Sequence, residues 1–455
     1  MARTRRAGER RWWRRELALV AGAALVVTLG VAATNHLGRT PYSDRPLYLA
    51  TMALDARGNL VRVDVDGDVD DLSLLPGSRA VAGAAAEAAA QSAWVASGQI
   101  PGAGTRWEGM ARDALLDLRT MTLADGAVLA AGSGPWRYAW PRDGAFVAVA
   151  YARTGHLDDA RRVLAFYQRA QAADGTVEAR YLPDGSGPPD DRAPQTDGIG
   201  WLLWALGQTV DAAPAAERPA VLAQFQPLLD RATNAAVRAV GPTGLPAPSP
   251  DYWEKRESTV TLGTAAPLLA GLRASAHLYG LLGDDGGVAA ASASARRLDA
   301  AIEAGFAPSY GRYPGSGARD AAVAFLLPPF VPASEALAGS YGGVDVDEAE
   351  VRTALHAAAQ QMARPGGGLA PGAHWPQDGV SWTPETALVA LGAASGDAAD
   401  RGLATRLLDW LDDHRTVAGS FPEKVLHDGS PAGTAPLVWT SATVLLALAT
   451  LESAG

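Results

Sequence analysis

Two glutamates in this chain sit where a carboxyl group could move a proton. Glu254 follows Tyr252 and Trp253 in a loop opened by Pro246, Pro248 and Pro250. Aromatic neighbours that partly bury a carboxyl group raise its pKa, the condition a general acid needs near neutral pH. Glu423 follows Phe421 and Pro422 in a glycine-rich loop running from Gly419 to Gly433. An ionised carboxylate held in such a loop can take a proton from water as a general base. Each also has a plainer reading. Glu254 could cap the next helix, although Glu257 is better spaced for that, and Glu423 could pair with Lys424 in solvent.

A second group of residues suits a ligand rich in hydroxyls. Trp136, Tyr138 and Trp140 lead through Pro141 into Arg142 and Asp143 at the start of a helix. Aromatic rings offer flat apolar faces with a polar edge, matching the hydrophobic side of a pyranose. Arg142 supplies a fork of donors and Asp143 a pair of acceptors, the combination that holds adjacent hydroxyls. Alternatively, Asp143 is a helix cap and Arg142 a surface partner. Gln195 and Asp197 open another helix; Asp197 is an N-cap by position, yet both could face a pocket.

These residues need a scaffold, and from Trp107 onward the pattern is almost wholly helical. Apolar residues recur at spacings of three and four in about twelve segments, near 106–122, 143–154, 157–172, 197–211, 216–239, 258–282, 286–305, 319–328, 346–363, 383–395, 399–414 and 435–452. Long loops rich in Gly, Pro, Asp and aromatics follow every second helix, and short polar turns join the rest. Six such hairpins predict an all-α fold, an (α/α)6 barrel or six-hairpin toroid over residues 101–455, with a site on the long-loop face. Trp201 and Trp204 read as core. Residues 46–100 differ: alternating, turn-rich strands around Arg57-Gly58-Asn59 predict a small β-containing region, followed by an Ala-rich helical stretch.

Composition narrows the function classes. The 455 residues are 48% hydrophobic and 19% charged, enough for a large core. With no cysteine, disulfides, thiolate metal sites and cysteine nucleophiles are excluded. The net charge of −10 argues against nucleic-acid binding, and it falls on the body, since residues 1–16 hold Arg3, Arg5, Arg6, Arg10, Arg11, Arg14 and Arg15. Uncharged Leu17–Ala33 follows, so residues 17–34 read as a transmembrane anchor or signal segment, with 35–45 as a linker. Arginines on its N-terminal side place residues 1–16 in the cytoplasm and the body outside the membrane, or secreted if the segment is cleaved.

Together the motifs resemble glycoside hydrolase family 15, the glucoamylases, glucodextranases and related trehalases. The resemblance runs from about Trp107 to Leu451. It is carried, in order, by Trp140–Gly144, Gln195–Leu206, Asp251–Ser258, Gly311–Phe330 and Phe421–Thr440. It implies exo-acting release of glucose from the non-reducing ends of α-glucosides, with inversion and without metal or cofactor. By the same resemblance Glu254 is the general acid and Glu423 the general base. Arg142 and Asp143 grip the terminal sugar, and Trp140 and Trp253 line the pocket. Arg364 corresponds to a further arginine of the family, although the run Gly366–Gly368 departs from its pattern. Where fungal members place a tryptophan ahead of the second motif, this chain has Pro188-Pro189-Asp190-Asp191-Arg192-Ala193. The alternatives are a trehalase or an isomaltose/dextran-type hydrolase on the same scaffold, and a non-catalytic membrane-anchored glycan-binding or envelope protein. An α/α-barrel lyase would need a basic cleft for acidic sugars, which the acidic body disfavours. No motif speaks to oligomeric state.

Overall fold

The computed structural model describes residues 49–65, 73–331 and 346–454. The segment expected to be an anchor or signal, 17–34, lies outside them, as do the basic tail and the linker. Among the described residues, no helix is long and apolar enough to cross a membrane.

The chain from Leu47 onward forms one unit. It opens with an antiparallel hairpin, β1 (Leu49–Leu54) and β2 (Leu60–Asp64), turned at Asp55–Gly58 as the alternating pattern predicts. The Ala-rich stretch forms helix α1 (Ala85–Ala96). Eleven further α-helices follow: α2 (Glu108–Met121), α3 (Pro141–Arg153), α4 (Leu157–Ala170), α5 (Asp197–Ala212), α6 (Arg218–Val240), α7 (Leu262–Leu282), α8 (Asp285–Phe306), α9 (Glu348–Met362), α10 (Thr383–Ala394), α11 (Ala398–Asp413) and α12 (Val438–Ala454). Eleven of the twelve helical segments expected from Trp107 onward are α-helices; the twelfth, 319–328, holds only a 3-10 helix, Ala321–Leu326, ahead of Pro328-Pro329. The two prolines lack amide protons and cannot extend a helical ladder.

Burial separates two rings. The inner ring is α3, α5, α7, the 3-10 helix, α10 and α12, each packed on the next and α12 closing back onto α3. Every residue of α10 is buried, as is almost all of α3. A helix apolar on all sides belongs inside a protein, whereas α4, with acids in its first turn and one buried face, lies outside. The outer partners of the six hairpins are α2, α4, α6, α8, α9 and α11. α5 and α7 approach closely because glycine faces glycine: a Cβ on Gly271 would come within 2.7 Å of Gly200 Cα.

Rings of Phe146, Trp201, Trp204, Phe325 and Phe330 fill the barrel axis, with Trp201 and Phe325 centroids 4.6 Å apart and Phe146 and Trp204 5.1 Å apart. Trp201 and Trp204 are therefore core, as expected. Truncating such a ring costs about 3–5 kcal/mol. The hairpin is joined to the barrel: Ser420 Oγ donates to Thr51 Oγ1 at 2.7 Å, and Arg79 pairs with Asp117 of α2 at 2.5 Å. This ties the N-terminal region to the loop that leads into Glu423.

Candidate active site

The loop carrying Glu254 is held in a strained turn. The Glu254 N–H donates to the Asp251 carbonyl at 2.8 Å, and its φ of 54° lies in the left-handed region. That conformation costs a residue with a Cβ about 1–2 kcal/mol, so it persists where the surroundings leave no alternative. Those surroundings are Asp251 and Arg312. Asp251 Oδ1 accepts from Trp253 N and from Arg312 Nη2, both at 2.9 Å, and its Oδ2 accepts from Thr261 Oγ1 at 2.7 Å. Arg312 also donates to Glu257 at 2.6 Å and Asp320 at 3.2 Å. Its guanidinium lies 3.8 Å from the Trp253 ring centroid, and Tyr252 donates its hydroxyl to Asp320. Glu257 thus braces the loop through Arg312 rather than capping a helix.

Arg142, fully enclosed at the start of α3, joins the separate motifs. Its Nη1 donates to Gln195 at 3.2 Å and Asp197 at 3.4 Å, and its Nη2 to Glu254 Oε1 at 3.1 Å. Asp143 lies 4.0 Å from its Nε, and the Trp439 ring 5.0 Å from its Cζ. Burial pushes Asp143 up to about 6 and Asp197 up to about 7, and the neighbouring guanidinium only partly offsets it. Asp197 makes no cap bond; it accepts from Trp201 Nε1 at 3.1 Å and faces Arg142. The second Glu254 oxygen accepts from Arg192 at 2.9 Å. Glu254 therefore has a guanidinium on each oxygen. Arg192 is tied to Asp190, which Arg180 holds while lying over the Trp140 ring at 5.0 Å.

Glu423 is positioned by a small sheet absent from the sequence reading. Strands β3 (Ser381–Trp382), β4 (Lys424–Val425) and β5 (Pro431–Ala432) pair antiparallel in that order, with a tight turn at Asp428-Gly429. Glu423 precedes β4. Its N–H donates to Thr434 O at 2.8 Å, its carbonyl accepts from Thr383 N at 3.2 Å, and Thr383 Oγ1 donates to Pro422 O at 2.6 Å. The side chain is buried and lies 3.5 Å from Lys424 Nζ. Burial raises its pKa, and Lys424 opposes this.

A third glutamate, Glu385 in the first turn of α10, was missed. It is buried, and burial together with the charge of Glu423 pushes it up to about 8. Asp320 and Arg142 also act on it electrostatically, which sets it between the Glu423 loop and the Arg142 cluster. Its sequence signal was a single charge in an otherwise apolar helix. Arg312 and Arg192 were likewise unassigned.

The residues gather at the N-terminal ends of the inner helices: Arg142 and Asp143 on α3, Asp197 on α5, Asp320 capping the 3-10 helix, Glu385 on α10 and Trp439 on α12. Trp140 Nε1, Trp439 Nε1, Trp253 Nε1, Arg142 Nε, Asp197 Oδ1 and Glu385 Oε2 are all buried there without a hydrogen-bond partner among the described residues. Each such atom costs about 1–3 kcal/mol, so a concentration at one mouth fits a ligand that brings its own donors and acceptors. Arg364 is placed differently. Its two terminal nitrogens donate to the carbonyls of Met362, Ala363, Trp375 and Pro376. It shapes the loop that brings Trp375 to 4.8 Å from Trp253. Among the described residues, no cluster of His, Asp or Glu could hold a metal ion.

A glycosidase solved as a glutamate-to-alanine variant in complex with glucose superimposes with a TM-score of 0.61 at 22% identity, over 76% of this chain and 96% of that one. A bacterial glucoamylase complexed with acarbose gives 0.62 at 15% identity, over 82% and 61%. What the chain shares with them is the fold, a barrel of paired helices. The fold is broader than one reaction, since cellobiose 2-epimerase from Bacillus thermoamylovorans gives 0.52 at 12% identity, over 74% of this chain and 95% of that one. In sequence, a protein of Methanocaldococcus jannaschii described as an uncharacterized glycosyl hydrolase is 35% identical over 95 residues, which is 20% of this chain and 15% of that protein's length. No protein-family model matches the chain.

Proposed function

We propose that the chain is an exo-acting, inverting glycoside hydrolase that releases glucose from the non-reducing ends of α-glucosides. The observation that carries this reading is the pair of glutamates at one mouth: Glu254 joined to Arg142, and Glu423 held in the loop beside Glu385. Glu254 gives a proton to the glycosidic oxygen as the C–O bond breaks and its electron pair leaves with that oxygen. Glu423 takes a proton from the water whose oxygen bonds to the anomeric carbon from the opposite face. Arg142, Asp143, Gln195 and Asp197 would grip the terminal hydroxyls and close one end of the site, which supports exo action. Trp140 and Trp253 would flank the ring. The neighbours' glycosidase and glucoamylase names support the same class.

One observation favours a second reading with the two roles exchanged. Two guanidinium groups donate to Glu254, the setting of a carboxylate, whereas burial raises the pKa of Glu423. Substrates whose leaving group needs no proton decide between them. Glu254→Gln and Glu423→Gln should each lose on the order of 10²–10⁴-fold on maltose-type glucosides. Glu254→Gln should still turn over α-glucosyl fluoride, while Glu423→Gln should not. The reverse pattern would exchange the roles, and wild-type turnover of maltose by either variant would remove that residue from the mechanism. Proton NMR of the first-formed product should show the β-anomer; an epimerised disaccharide would end the hydrolase reading.

The arginine-rich residues 1–16 and apolar Leu17–Ala33 support a further proposal. The catalytic body would stand on the outer side of the cell membrane, or be secreted after cleavage.

A further inference from the structure

The two arginines on Glu254 are unlike in their freedom to move. Arg142 is enclosed, 6% exposed, and shared among Gln195, Asp197 and Glu254. Arg192 has a side chain 36% exposed and comes from Pro188–Ala193, between helices α4 and α5, where no regular element holds the backbone. Its only other charged partner among the described residues is Asp190, at 3.3 Å from Nε. Glu254 spans the two environments, with Oε1 on the buried arginine and Oε2 on the exposed one.

This arrangement limits what Glu254 can do. An oxygen that accepts from a guanidinium N–H at 2.9 Å presents its lone pair to that donor. That contact points the oxygen at the Arg192 guanidinium rather than at an incoming glycosidic oxygen. Oε1 is committed to a residue that has no room to leave. Oε2 is the oxygen that can be released, and the leaving group of a bound glucoside must lie on this solvent side, because Arg142 and its partners occupy the inner end.

We propose that Arg192 is a positioning residue for proton donation. It latches Glu254 Oε2 in the free enzyme and swings away when the leaving group enters, so that Oε2 takes a proton from solvent and delivers it to the departing oxygen. This rests on Glu254 being the general acid. Asp190 is the pivot that keeps the guanidinium near the mouth after release. The groups facing Glu254 are Arg142, Arg192, Asp143 and Asp197, and of these only Arg192 can change its distance by a rotamer change at the surface.

The test is the pH dependence of kcat/KM for wild type, Arg192→Leu and Arg192→Lys on maltose, with Glu254→Gln assayed alongside on maltose and α-glucosyl fluoride. Thermal melting checks that each variant is folded. In a general-acid mechanism the alkaline limb reports the donor in the free enzyme. Removing a guanidinium from hydrogen-bond distance should shift that limb, because an adjacent opposite charge acts on the donor. Arg192→Lys should return it toward the wild-type position. An alkaline limb unmoved in Arg192→Leu, with Glu254→Gln inactive on maltose yet active on the fluoride, overturns the latch and leaves the hydrolase reading standing. Full activity of Glu254→Gln on maltose removes both.

Discussion

Gly433 lies one turn of chain from the proposed base, and replacing it with alanine should disable the site without unfolding the protein. Its φ is 76°, and a Cβ there would come within 2.6 Å of Glu423 Oε2 and 3.0 Å of Glu423 Cβ. Ordinary contact begins at 3.4 Å, so the carboxylate must move by 3.4 − 2.6 = 0.8 Å. Thr434 and Thr383 hold the Glu423 backbone, which leaves the side chain to absorb the shift. Misplacing a reacting group by about 1 Å costs on the order of 100-fold in rate. The left-handed conformation adds about 1–2 kcal/mol against folding. Gly429 is the control. Its φ is 85°, and the nearest atom to its Cβ is His414 Nε2 at 3.7 Å, so alanine there carries the strain and spares the glutamate. Both variants should melt a few degrees lower, and only Gly433→Ala should lose kcat by about two orders of magnitude. Equal kcat in the two variants, both folded, would refute the placement of Glu423 at the reacting centre.

Glu385→Gln tests the buried carboxyl group that the mechanism leaves unassigned. Its folded pKa of about 8 exceeds the ordinary 4.5, so the folded state holds the extra proton between those values. The group's contribution to stability is full below the unfolded value and is lost as pH rises toward about 8. Glutamine does not titrate, so the variant should gain on wild type by a few kcal/mol between pH 5 and 8, at about 1.4 kcal/mol per pH unit. Melting curves across that range check it, and parallel curves for the two proteins would show that Glu385 ionises as freely folded as unfolded. For the export proposal, the full chain should sediment with membranes or be recovered from the medium, and a chain starting near residue 40 should do neither. Retention of both in the cytosol would end that proposal.

The barrel was legible because its signal is repetitive. Helices at spacings of three and four, joined alternately by long and short loops, dictate paired helices whatever the details. The exception, 319–328, failed for a local reason: an apolar run with helical period stops at Pro328-Pro329, and period alone does not see the missing donors. The three two-residue strands beside Glu423 were invisible, since a strand that short has no alternation to detect. Arg142, Asp143, Gln195 and Asp197 were read from aromatic and polar clusters, and they meet in space because each stands at the start of an inner helix. Arg364 was matched by family position, yet its bonds go to backbone carbonyls. Arg312 and Arg192 were missed because the carboxylates they hold in the Glu254 loop, Glu257, Asp251 and Glu254, lie 55 to 62 positions away in sequence. Local pattern carries no information at that range.

Electrostatics at the mouth favour an uncharged ligand. Inner-helix N-termini converge there, each able to stabilise a nearby anion by about 0.3–1 kcal/mol. They do not prevail: Asp143, Asp197, Glu385 and Glu423 all have pKa values raised by burial, with Arg142 the enclosed cation among them. A cleft built for acidic sugars would invert that ratio. Asp143, Asp197 and Glu385, poised near neutrality, can donate as well as accept, which suits hydroxyls that do both. A substrate bearing a carboxylate or sulfate would have to displace protons or face four acidic groups with Arg142 and Lys424 to answer them. The same imbalance explains why Arg142 is shared three ways, and why removing its charge would leave Asp143 and Asp197 without their buried counter-ion.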